Sequence, residues 1–411
     1  MGRTTPTETD KTVCFAFANG CPRSLVNMSL LVEYFKANGW GITTSLRDAS
    51  LIVFACCAFD VYNEETSFEF LAIAMNKKRE DARIVVFGCL PGINKERLLS
   101  EFAVAAAVPP YAIGSFDELI GAKVHISEIS EPNVLAGYEE QFAKCFSAFD
   151  RAMVKSKLLK KHRTKIIDHA FRAKDSGRLV PNVHNMYEIK IAKGCMGACS
   201  YCAIKNAVGP LRSKPSDKVM AEFQSGLDKG HRIVRYIAED VGAYGQDIKT
   251  DIAELLKRTF EDGYDFKLAW DDFSPGWLIR YFPELLDIIE KNHERIAYLG
   301  FPMQSGSDDV LKMMDRGYKA GEAARCMKEM RKAAPGLRLT THVLIGFPGE
   351  TDSDFRATLD FLSDLNFEHV QAYKYSDRPN TASANFPDKV PEKVKSERVR
   401  EFKKRFPAAY I

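Results

Sequence analysis

Short apolar runs alternate with amphipathic stretches along the first part of the chain. The predicted strands and helices are, in order, Thr12–Ala18, Ser24–Asn38, Leu51–Ala55, Asn63–Lys78 and Arg83–Phe87, with a further helix after Asn94. Strands and helices that alternate in this way are typical of a small parallel α/β domain. The pattern predicts such a domain over residues 1–125.

A second and more regular alternation begins at residue 187. The predicted strands are 187–192, 233–238, 267–271, 296–301, 338–345 and 368–374, and helical segments between them include Asp217–Leu227, Ile252–Phe260, Pro283–Lys291, Ala320–Lys332 and Asp352–Leu365. Six β/α units in series indicate a parallel, right-handed, partly closed barrel. The predicted fold class is therefore α/β, with an N-terminal flavodoxin-like parallel sheet domain and a partial (β/α)6 barrel over residues 186–385.

The stretch between these regions, residues 126–185, reads as a basic helical linker. From Arg151 to Lys174 it carries nine Lys or Arg and a single acid, Asp168. Such a segment can lie along phosphates, but its interleaved apolar residues also suit the solvated face of a linker helix. The remaining residues, 386–411, predict a C-terminal helix.

Composition narrows the class of protein. The chain has 411 residues, 45% of them hydrophobic, and a net charge of +3, which gives no global argument for nucleic acid. Its longest apolar stretch is too short to span a membrane, and the N-terminus is not signal-like. Ten cysteines in such a chain favour metal ligation in a reducing cytoplasm over a disulfide framework.

Three cysteines, Cys195, Cys199 and Cys202, lie in a short loop after the first barrel strand. Thiolates at spacings of four and three can ligate three corners of a cubane iron–sulfur cluster and leave its fourth iron open. A structural zinc site, the alternative, requires four protein ligands, and no fourth Cys or His lies nearby in sequence. The spacing therefore favours a 4Fe–4S cluster.

Cys21, Cys57 and Cys89 each follow a predicted strand of the N-terminal domain. Open α/β sheets place their ligands at the carboxyl ends of the strands, so these three side chains can converge on a second cluster. The alternative is that they are small buried residues, because free cysteine is common in protein cores. From the residues alone, both interpretations stay open.

The cysteine loop, with Tyr201 directly before its last cysteine, resembles the radical S-adenosylmethionine (SAM) superfamily. Further stretches resemble, in order, the methylthiotransferase family within it; they include residues 20–27, 51–59, 86–90, 194–202, 209–215, 238–247, 302–311, 346–351, 373–381 and 390–392. The resemblance covers residues 12–125 and 186–400.

This resemblance implies two 4Fe–4S clusters and SAM as cofactors. Cys195, Cys199 and Cys202 would hold the cluster that cleaves SAM to a 5′-deoxyadenosyl radical. The auxiliary cluster, which carries or donates sulfur, would be held by Cys21, Cys57 and Cys89. An external electron donor such as flavodoxin or ferredoxin is implied, and no residue is assigned a direct catalytic role.

Residues at the ends of the barrel strands are candidates for binding SAM: Tyr201, Arg212, Glu239, Asp240, Gln304, Ser305 and Gly346. Each has an ordinary structural alternative. Tyr201 can be a core residue, Glu239 and Asp240 can cap the next segment, and Gln304 and Ser305 can form a turn beside the small Gly306. Gly346 shapes a loop, and Arg212 can form a surface ion pair.

The remaining cysteines divide into two kinds. Cys56 stands directly before Cys57, which leaves the ligand formally ambiguous. Because neighbouring side chains of a strand point to opposite faces, only one of the pair can face the site, and the motif favours Cys57. Cys14, Cys145 and Cys326 have no motif context and are predicted to be structural thiols.

Three departures from the family concern the substrate. The chain ends after a basic helix at Glu392–Arg405 without the family's β-rich TRAM domain, the gap from Cys89 to Cys195 is long, and Asp271 and Asp272 form an acidic pair on the barrel rim. These features favour sulfur insertion into a small molecule or natural-product intermediate. The alternative is methylthiolation of tRNA or a ribosomal protein, and a more distant one is a non-enzymatic iron–sulfur carrier or redox sensor.

Overall fold

The structure is a computed structural model that describes residues 11–18, 21–162, 186–261 and 263–409. The described chain forms two compact units. Unit 1 contains the described residues up to 162 together with 203–209, and unit 2 contains the others. No helix in the described ranges is long and apolar enough to cross a membrane.

Unit 1 is built on a five-stranded parallel sheet with strand order β2-β1-β3-β4-β5. This is the order of a flavodoxin-like sheet, as the sequence predicts. Its strands are β1 Thr12–Phe17, β2 Gly41–Thr43, β3 Leu51–Cys56, β4 Arg83–Gly88 and β5 Ala106–Val108. Its helices are α1 Pro22–Ala37, α2 Val61–Lys77, α3 Leu90–Ile93, α4 Lys95–Glu101, α5 Phe116–Ile120, α6 Ala136–Ala143, α7 Ala148–His162 and α8 Lys205–Val208.

The central strand of this sheet, β3, is buried along its whole length. Its sequence is continuously apolar, as expected for a parallel strand that is covered on both faces. Alternate residues enter two separate cores: Ile52 and Phe54 pack in one, and Leu51 and Val53 in the other. Because a hydrophobic core covers each face of the sheet, the sheet is accessible at the ends of its strands.

Helices α6 and α7 are part of unit 1 rather than an independent linker. Val154 and Leu158 of α7 are buried in the same core as β3. Lys77 at the end of α2 forms an ion pair of 2.6 Å with the buried Asp150 of α7. This packing concerns the described part of the predicted linker, which ends at residue 162. Residues 163–185, which include much of the basic segment, lie outside the described residues.

Unit 2 contains a six-stranded parallel sheet in which sequence neighbours are also spatial neighbours, β6-β9-β10-β11-β12-β13. A separate antiparallel ribbon pairs β7 with β8. The strands are β6 Tyr187–Lys190, β7 Ala192–Lys193, β8 Arg212–Ser213, β9 Ile233–Ile237, β10 Lys267–Trp270, β11 Ile296–Gly300, β12 Leu339–Ile345 and β13 His369–Lys374. The helices are α9 Ser216–Asp228, α10 Ile252–Glu261, α11 Pro275–Arg280, α12 Phe282–Asn292, α13 Asp308–Met313, α14 Ala320–Ala333, α15 Asp352–Leu365 and α16 Glu392–Arg405.

The predicted fold class is confirmed by these two sheets. Strands β6 and β13 are the two edges of the larger sheet, so the barrel is an open arc of six β/α units. In such barrels the loops after the strands carry the chemistry. The cysteine loop follows β6 and β7, which places it at that end of unit 2.

Candidate functional site

The loop that carries Cys195, Cys199 and Cys202 begins at the two-stranded ribbon. Lys193 of β7 pairs with Arg212 of β8. Arg212 is exposed on this ribbon, so it contributes to the stem of the loop as a backbone partner. The three cysteines are all partly buried.

Gly197 brings two of the thiols to one place. A Cβ at this position would lie 3.2 Å from Cys195 Sγ and 3.7 Å from Cys199 Sγ. The Gly197 N–H donates to Cys195 Sγ at 3.1 Å. Burial raises the pKa of the Cys195 thiol to about 12, and this hydrogen bond only partly opposes the rise. A metal centre here would therefore bind in exchange for protons.

Ser200 anchors the loop to the barrel. Its N–H donates to Met314 O at 3.0 Å and its hydroxyl to Met313 O at 2.9 Å. Its own carbonyl accepts the Ser383 N–H at 2.9 Å. A loop of small residues is thus held by hydrogen bonds to two distant parts of the chain.

Arg316 is a site residue that the sequence motifs miss. Its guanidinium Nη1 donates to Cys199 Sγ at 3.2 Å. The two residues are 117 positions apart, so no local pattern indicates the contact. Arg316 directly follows the turn that ends α13.

Asp240 has the capping role that the sequence leaves open. Its carboxylate accepts hydrogen bonds from Gly242 N–H at 3.1 Å, Ser274 N–H at 3.0 Å and Trp277 Nε1 at 2.9 Å. Burial raises the pKa of Asp240 to about 6, against the opposing effects of the Ser274 N–H and the Arg316 cation. Its neighbour Glu239 is partly buried.

Gln304 and Ser305 have different surroundings. Gln304 adopts a positive φ of 67°, which is unusual for a residue with a side chain, and its backbone bonds to β12 through His342 O at 2.8 Å. Ser305 is buried, and its hydroxyl lies 3.1 Å from Thr358 Oγ1 of α15. Strained backbone is often found at functional positions, which keeps Gln304 a candidate, whereas Ser305 has the structural role of a turn.

Gly306 is required by helix packing. A Cβ here would lie 2.7 Å from Ala357 O and 2.8 Å from Thr358 Cα, both on α15. The glycine lets α15 pack closely against the turn after β11.

Gly346 and Tyr201 border the same region of unit 2. Gly346 has a φ of 81°, and a Cβ there would overlap the side chain of Lys395. Its N–H donates to both carboxylate oxygens of Glu350 at 3.1 Å. Tyr201 packs against an apolar group that contains Phe347 and Tyr375.

The acidic pair after β10 is drawn into a polar network inside the barrel. Arg235 forms a buried ion pair with Glu188 at 2.6 Å and contacts Asp271 Oδ2 at 3.1 Å. Tyr298 donates to the same oxygen at 3.2 Å. Asp272, at a positive φ of 49°, lies 3.9 Å from His342 Nδ1. Asp271 thus has an internal cation, while Asp272, just after β10, and His342, in the middle of β12, are partly exposed.

In unit 1 the cysteines lie where strands end and helices begin. Cys21 is the N-cap of α1 and Cys89 the N-cap of α3. Cys57 follows β3 directly, and its Sγ accepts the Phe59 N–H at 3.5 Å. Adjacent parallel strands end at the same edge, so all three residues lie along one side of the sheet.

Cys56 and Cys57 have opposite surroundings. Cys56 is 2% exposed, belongs to a hydrophobic core, and donates to Phe87 O at 3.2 Å. Burial raises the pKa of its thiol well above the ordinary range. Cys57 is only partly buried. Strand alternation thus separates the two side chains in the way the sequence predicts.

The other thiols lie in cores. Cys14 and Cys145 are buried with their sulfurs 3.2 Å apart, and Cys326 is buried in α14.

The donor chemistry fits iron–sulfur clusters at both places. Each offers three partly buried cysteines, and a cubane with three protein thiolates keeps one iron open. Among the residues that the structure describes, no three His, Cys, Asp or Glu side chains converge on a single-ion site. The fit therefore rests on the type and number of ligands.

Residues 189–362 match the radical SAM superfamily, and residues 14–109 match the uncharacterized protein family UPF0004. The matched ranges contain most of the barrel, including the cysteine loop, and most of the N-terminal sheet. Fold and site thus define a radical SAM enzyme.

Relatives identify the branch of this superfamily. Ribosomal protein uS12 methylthiotransferase RimO of Geotalea uraniireducens (strain Rf4) is 29% identical over 93% of this chain and 79% of its own length. The protein of the same name from Moorella thermoacetica is 27% identical over 92% and 80%. The two matched domains and these relatives support a radical SAM methylthiotransferase family for this chain, a family that binds two 4Fe–4S clusters and SAM.

A solved structure supports the fold. The radical SAM methyltransferase TsrM from Kitasatospora setae, with cobalamin and a [4Fe–4S] cluster bound, aligns with a TM-score of 0.59 and 16% identity over 91% of this chain and 74% of its own. At this identity the likeness concerns the fold only. The family and enzyme class predicted from sequence are confirmed, whereas a small-molecule substrate finds no support in these relatives.

Proposed function

We propose that this chain methylthiolates a ribosomal protein of the uS12 kind. The observation that carries the proposal is the alignment with uS12 methylthiotransferases over more than nine tenths of the chain, through both cysteine-bearing units. This observation supports the alternative over the small-molecule substrate that the sequence analysis favours. The latter rests on departures outside the aligned motifs.

Cys195, Cys199 and Cys202 are the proposed ligands of the SAM-cleaving cluster. When bound, that cluster supplies the electron that cleaves SAM. The protein holds the cysteine loop in place through the hydrogen bonds of Ser200, and its side chains line the SAM site. Tyr201, Gln304 and Gly346 are retained as SAM contacts, whereas the hydrogen bonds of Ser305 and Asp240 support structural roles.

Cys21, Cys57 and Cys89 are the proposed ligands of the auxiliary cluster. Their positions at the sheet edge support this role, and α1 begins at Cys21. The positive end of a helix dipole favours a thiolate there. A dry site built on rigid strands would keep the sulfur donor from side reactions.

The substrate peptide is proposed to meet Asp272 and His342. Both side chains are about one quarter exposed, at 24% and 26%; Asp272 lies just after β10, and His342 lies in the middle of β12. Such groups can accept from and donate to a peptide's polar atoms. The neighbouring Arg235 is saturated by Glu188 and Asp271, which keeps the wall of the barrel fixed.

The test is anaerobic turnover of the reconstituted full-length chain with SAM and dithionite. Three substrates are offered separately: unmodified uS12 in ribosomal subunits, bulk tRNA, and a cytosolic small-molecule extract. Readouts are 5′-deoxyadenosine and the mass gain of one methylthio group, located by tandem mass spectrometry. We expect modification of uS12 only.

The matched control carries Ala at Cys195, Cys199 and Cys202, and it should yield no 5′-deoxyadenosine. Turnover with tRNA alone, or with the small-molecule extract alone, would contradict the proposed substrate and leave the enzyme class intact. Failure of the wild-type protein to cleave SAM at all would contradict the class.

A further inference from the structure

Arg316 is a charged side chain in contact with the cysteine loop. Its Nη1 donates to Cys199 Sγ at 3.2 Å, and its Nη2 donates to Pro302 O at 3.0 Å and to Ser274 Oγ at 3.4 Å. The Nε is 3.4 Å from Tyr318 Oη. Every nitrogen of the guanidinium thus has a partner, and one of these partners is a proposed cluster ligand.

The fold aims this side chain by a helix-ending turn. At the end of α13, Asp315 N–H bonds to Lys312 O at 3.0 Å and Arg316 N–H to Leu311 O at 3.0 Å, and Asp315 has a φ of 56°. These two bonds and the left-handed residue are the features of a Schellman motif. The backbone direction at Arg316 is therefore set by α13 itself.

The same turn holds the cysteine loop. Met313 is the last residue of α13, and Met314 is its C-cap. Their carbonyl oxygens accept the two hydrogen bonds from Ser200, the neighbour of Cys199. The donor nitrogen and the acceptor sulfur are thus attached to one rigid piece of backbone. A contact built in this way persists when the sulfur is ligated.

We propose that Arg316 is a positioning residue that donates a charge-assisted hydrogen bond to the Cys199 thiolate and thereby raises the reduction potential of the barrel cluster. The inference rests on the proposed cluster at Cys195, Cys199 and Cys202. Hydrogen bonds to the sulfurs and the net charge nearby set the potentials of such clusters. A fixed cation favours the more negative, reduced state, which is the state that must form before SAM is cleaved.

The variant Arg316→Met removes the N–H groups and the charge while it keeps an unbranched side chain. Arg295→Met is the matched control, because Arg295 is also half-buried in unit 2 and donates to Phe260 O at 2.9 Å, beside the start of β11. Potentials are measured by EPR-monitored redox titration of the holoenzyme. The titration is repeated in a full-length chain with Ala at Cys21, Cys57 and Cys89, so that the barrel signal is observed alone.

We expect the ratio of reduced to oxidised barrel cluster in Arg316→Met to fall about tenfold at a fixed potential, which is about 59 mV for a one-electron couple. Arg295→Met should titrate like the wild type, and the affinity of Arg316→Met for SAM should be unchanged. An unchanged reduction potential in Arg316→Met would overturn the proposal. If the binding of SAM were weakened at the same time, the role of Arg316 would be to hold SAM instead.

A measurement on the wild-type sequence avoids any folding defect of the variant. In protein labelled with ¹⁵N-arginine, pulsed EPR of the reduced barrel cluster should detect a weak coupling to an arginine nitrogen. Absence of that coupling overturns the hydrogen bond but leaves the cluster assignment standing. Absence of any cluster EPR signal in the wild type would overturn both the inference and the proposed function.

Discussion

The two cysteine sites are assembled in different ways. In unit 1, Cys21, Cys57 and Cys89 come from three strand–helix junctions, so the sheet must fold before they share an edge. In unit 2, residues 195–202 supply all three cysteines from one loop. The first site depends on long-range strand pairing for its existence. The second has its ligands in place locally and depends on long-range contacts for its surroundings.

This difference concerns the source of electrostatic control as well. In unit 1 the Cys57 thiol accepts a hydrogen bond from a local backbone group, the Phe59 N–H. In unit 2 a cation 117 residues away contacts Cys199. If the barrel site holds a cluster that must be reduced, as proposed, this fixed cation favours the reduction.

The largest expected effect comes from separating the two sites. Replacing Cys21, Cys57 and Cys89 with Ala should lower the iron content from about eight to about four per chain and abolish methylthiolation. Cleavage of SAM should persist, since the barrel cysteines remain. Iron analysis and the yield of 5′-deoxyadenosine measure the two effects. Cys326→Ala, a buried thiol outside both sets, is the control and should keep all the iron.

Loss of SAM cleavage in that triple variant would contradict the independence of the two sites. The two cysteine sites would then have to be described as interdependent.

The second prediction concerns the scaffold of the barrel. Arg235→Met leaves Glu188 buried without its cation, which should destabilise unit 2 by about 3–5 kcal/mol. Glu188→Leu combined with Arg235→Met should recover most of this loss, because the buried carboxylate is removed together with its cation, and Asp271, the other partner of Arg235, is 32% exposed. Hydrogen exchange of amides in β6 and β9 measures the effect on unit 2. Amides of β3 in unit 1 serve as the internal reference and should keep their protection.

Equal loss of protection in β3 and β9 would show that the two units unfold together. A double variant as unstable as the single one would contradict the electrostatic explanation.

The third prediction is a pH dependence that belongs to unit 2. Burial raises the pKa of Glu350 to about 7, although Arg398 and the Gly346 N–H oppose the rise. A carboxyl whose pKa is raised on folding stabilises the protein below its unfolded pKa, and this contribution is lost as the pH rises through the folded value. Between pH 4.5 and 7 the wild type should thus lose roughly 3 kcal/mol relative to Glu350→Gln.

Thermal unfolding of the metal-free protein across this pH range measures the difference. Asp352→Asn is the control, because Asp352 also pairs with Arg398 but is exposed. Parallel pH profiles for the wild type and Glu350→Gln would contradict a raised pKa.

The smallest expected effect distinguishes the adjacent cysteines of unit 1. Cys56→Ala should keep all the iron and cost about 1–2 kcal/mol, because a buried sulfur and a weak hydrogen bond to Phe87 O are lost. Cys57→Ala should lose the auxiliary cluster. Iron analysis and urea denaturation of both variants test this pair. Loss of iron in Cys56→Ala with retention in Cys57→Ala would reverse the ligand assignment.

Much of the fold follows from sequence. The six barrel strands predicted from apolar runs differ from the observed bounds by two residues at most, and the helix Glu392–Arg405 is found where it is predicted. Long elements with one buried face leave a strong periodic signal. The three-residue strands β2 and β5 leave none, because they are stabilised mainly by pairing with β1 and β4.

The residues of the candidate site also fall into two groups, those that the sequence identifies and those that the tertiary structure identifies. Sequence by itself determined Cys195, Cys199 and Cys202 as candidate ligands, since their type and spacing are local properties of the chain. For Cys21, Cys57 and Cys89 the residues left two interpretations open, and the resemblance to the family favoured ligation. Only the tertiary structure decided that Cys56 is in the core, that Ser305 and Gly306 pack against α15, and that Arg316 meets Cys199. These contacts join residues from distant parts of the chain. The side chain at one position carries no information about its partner until the sheet and its helices have brought the two together.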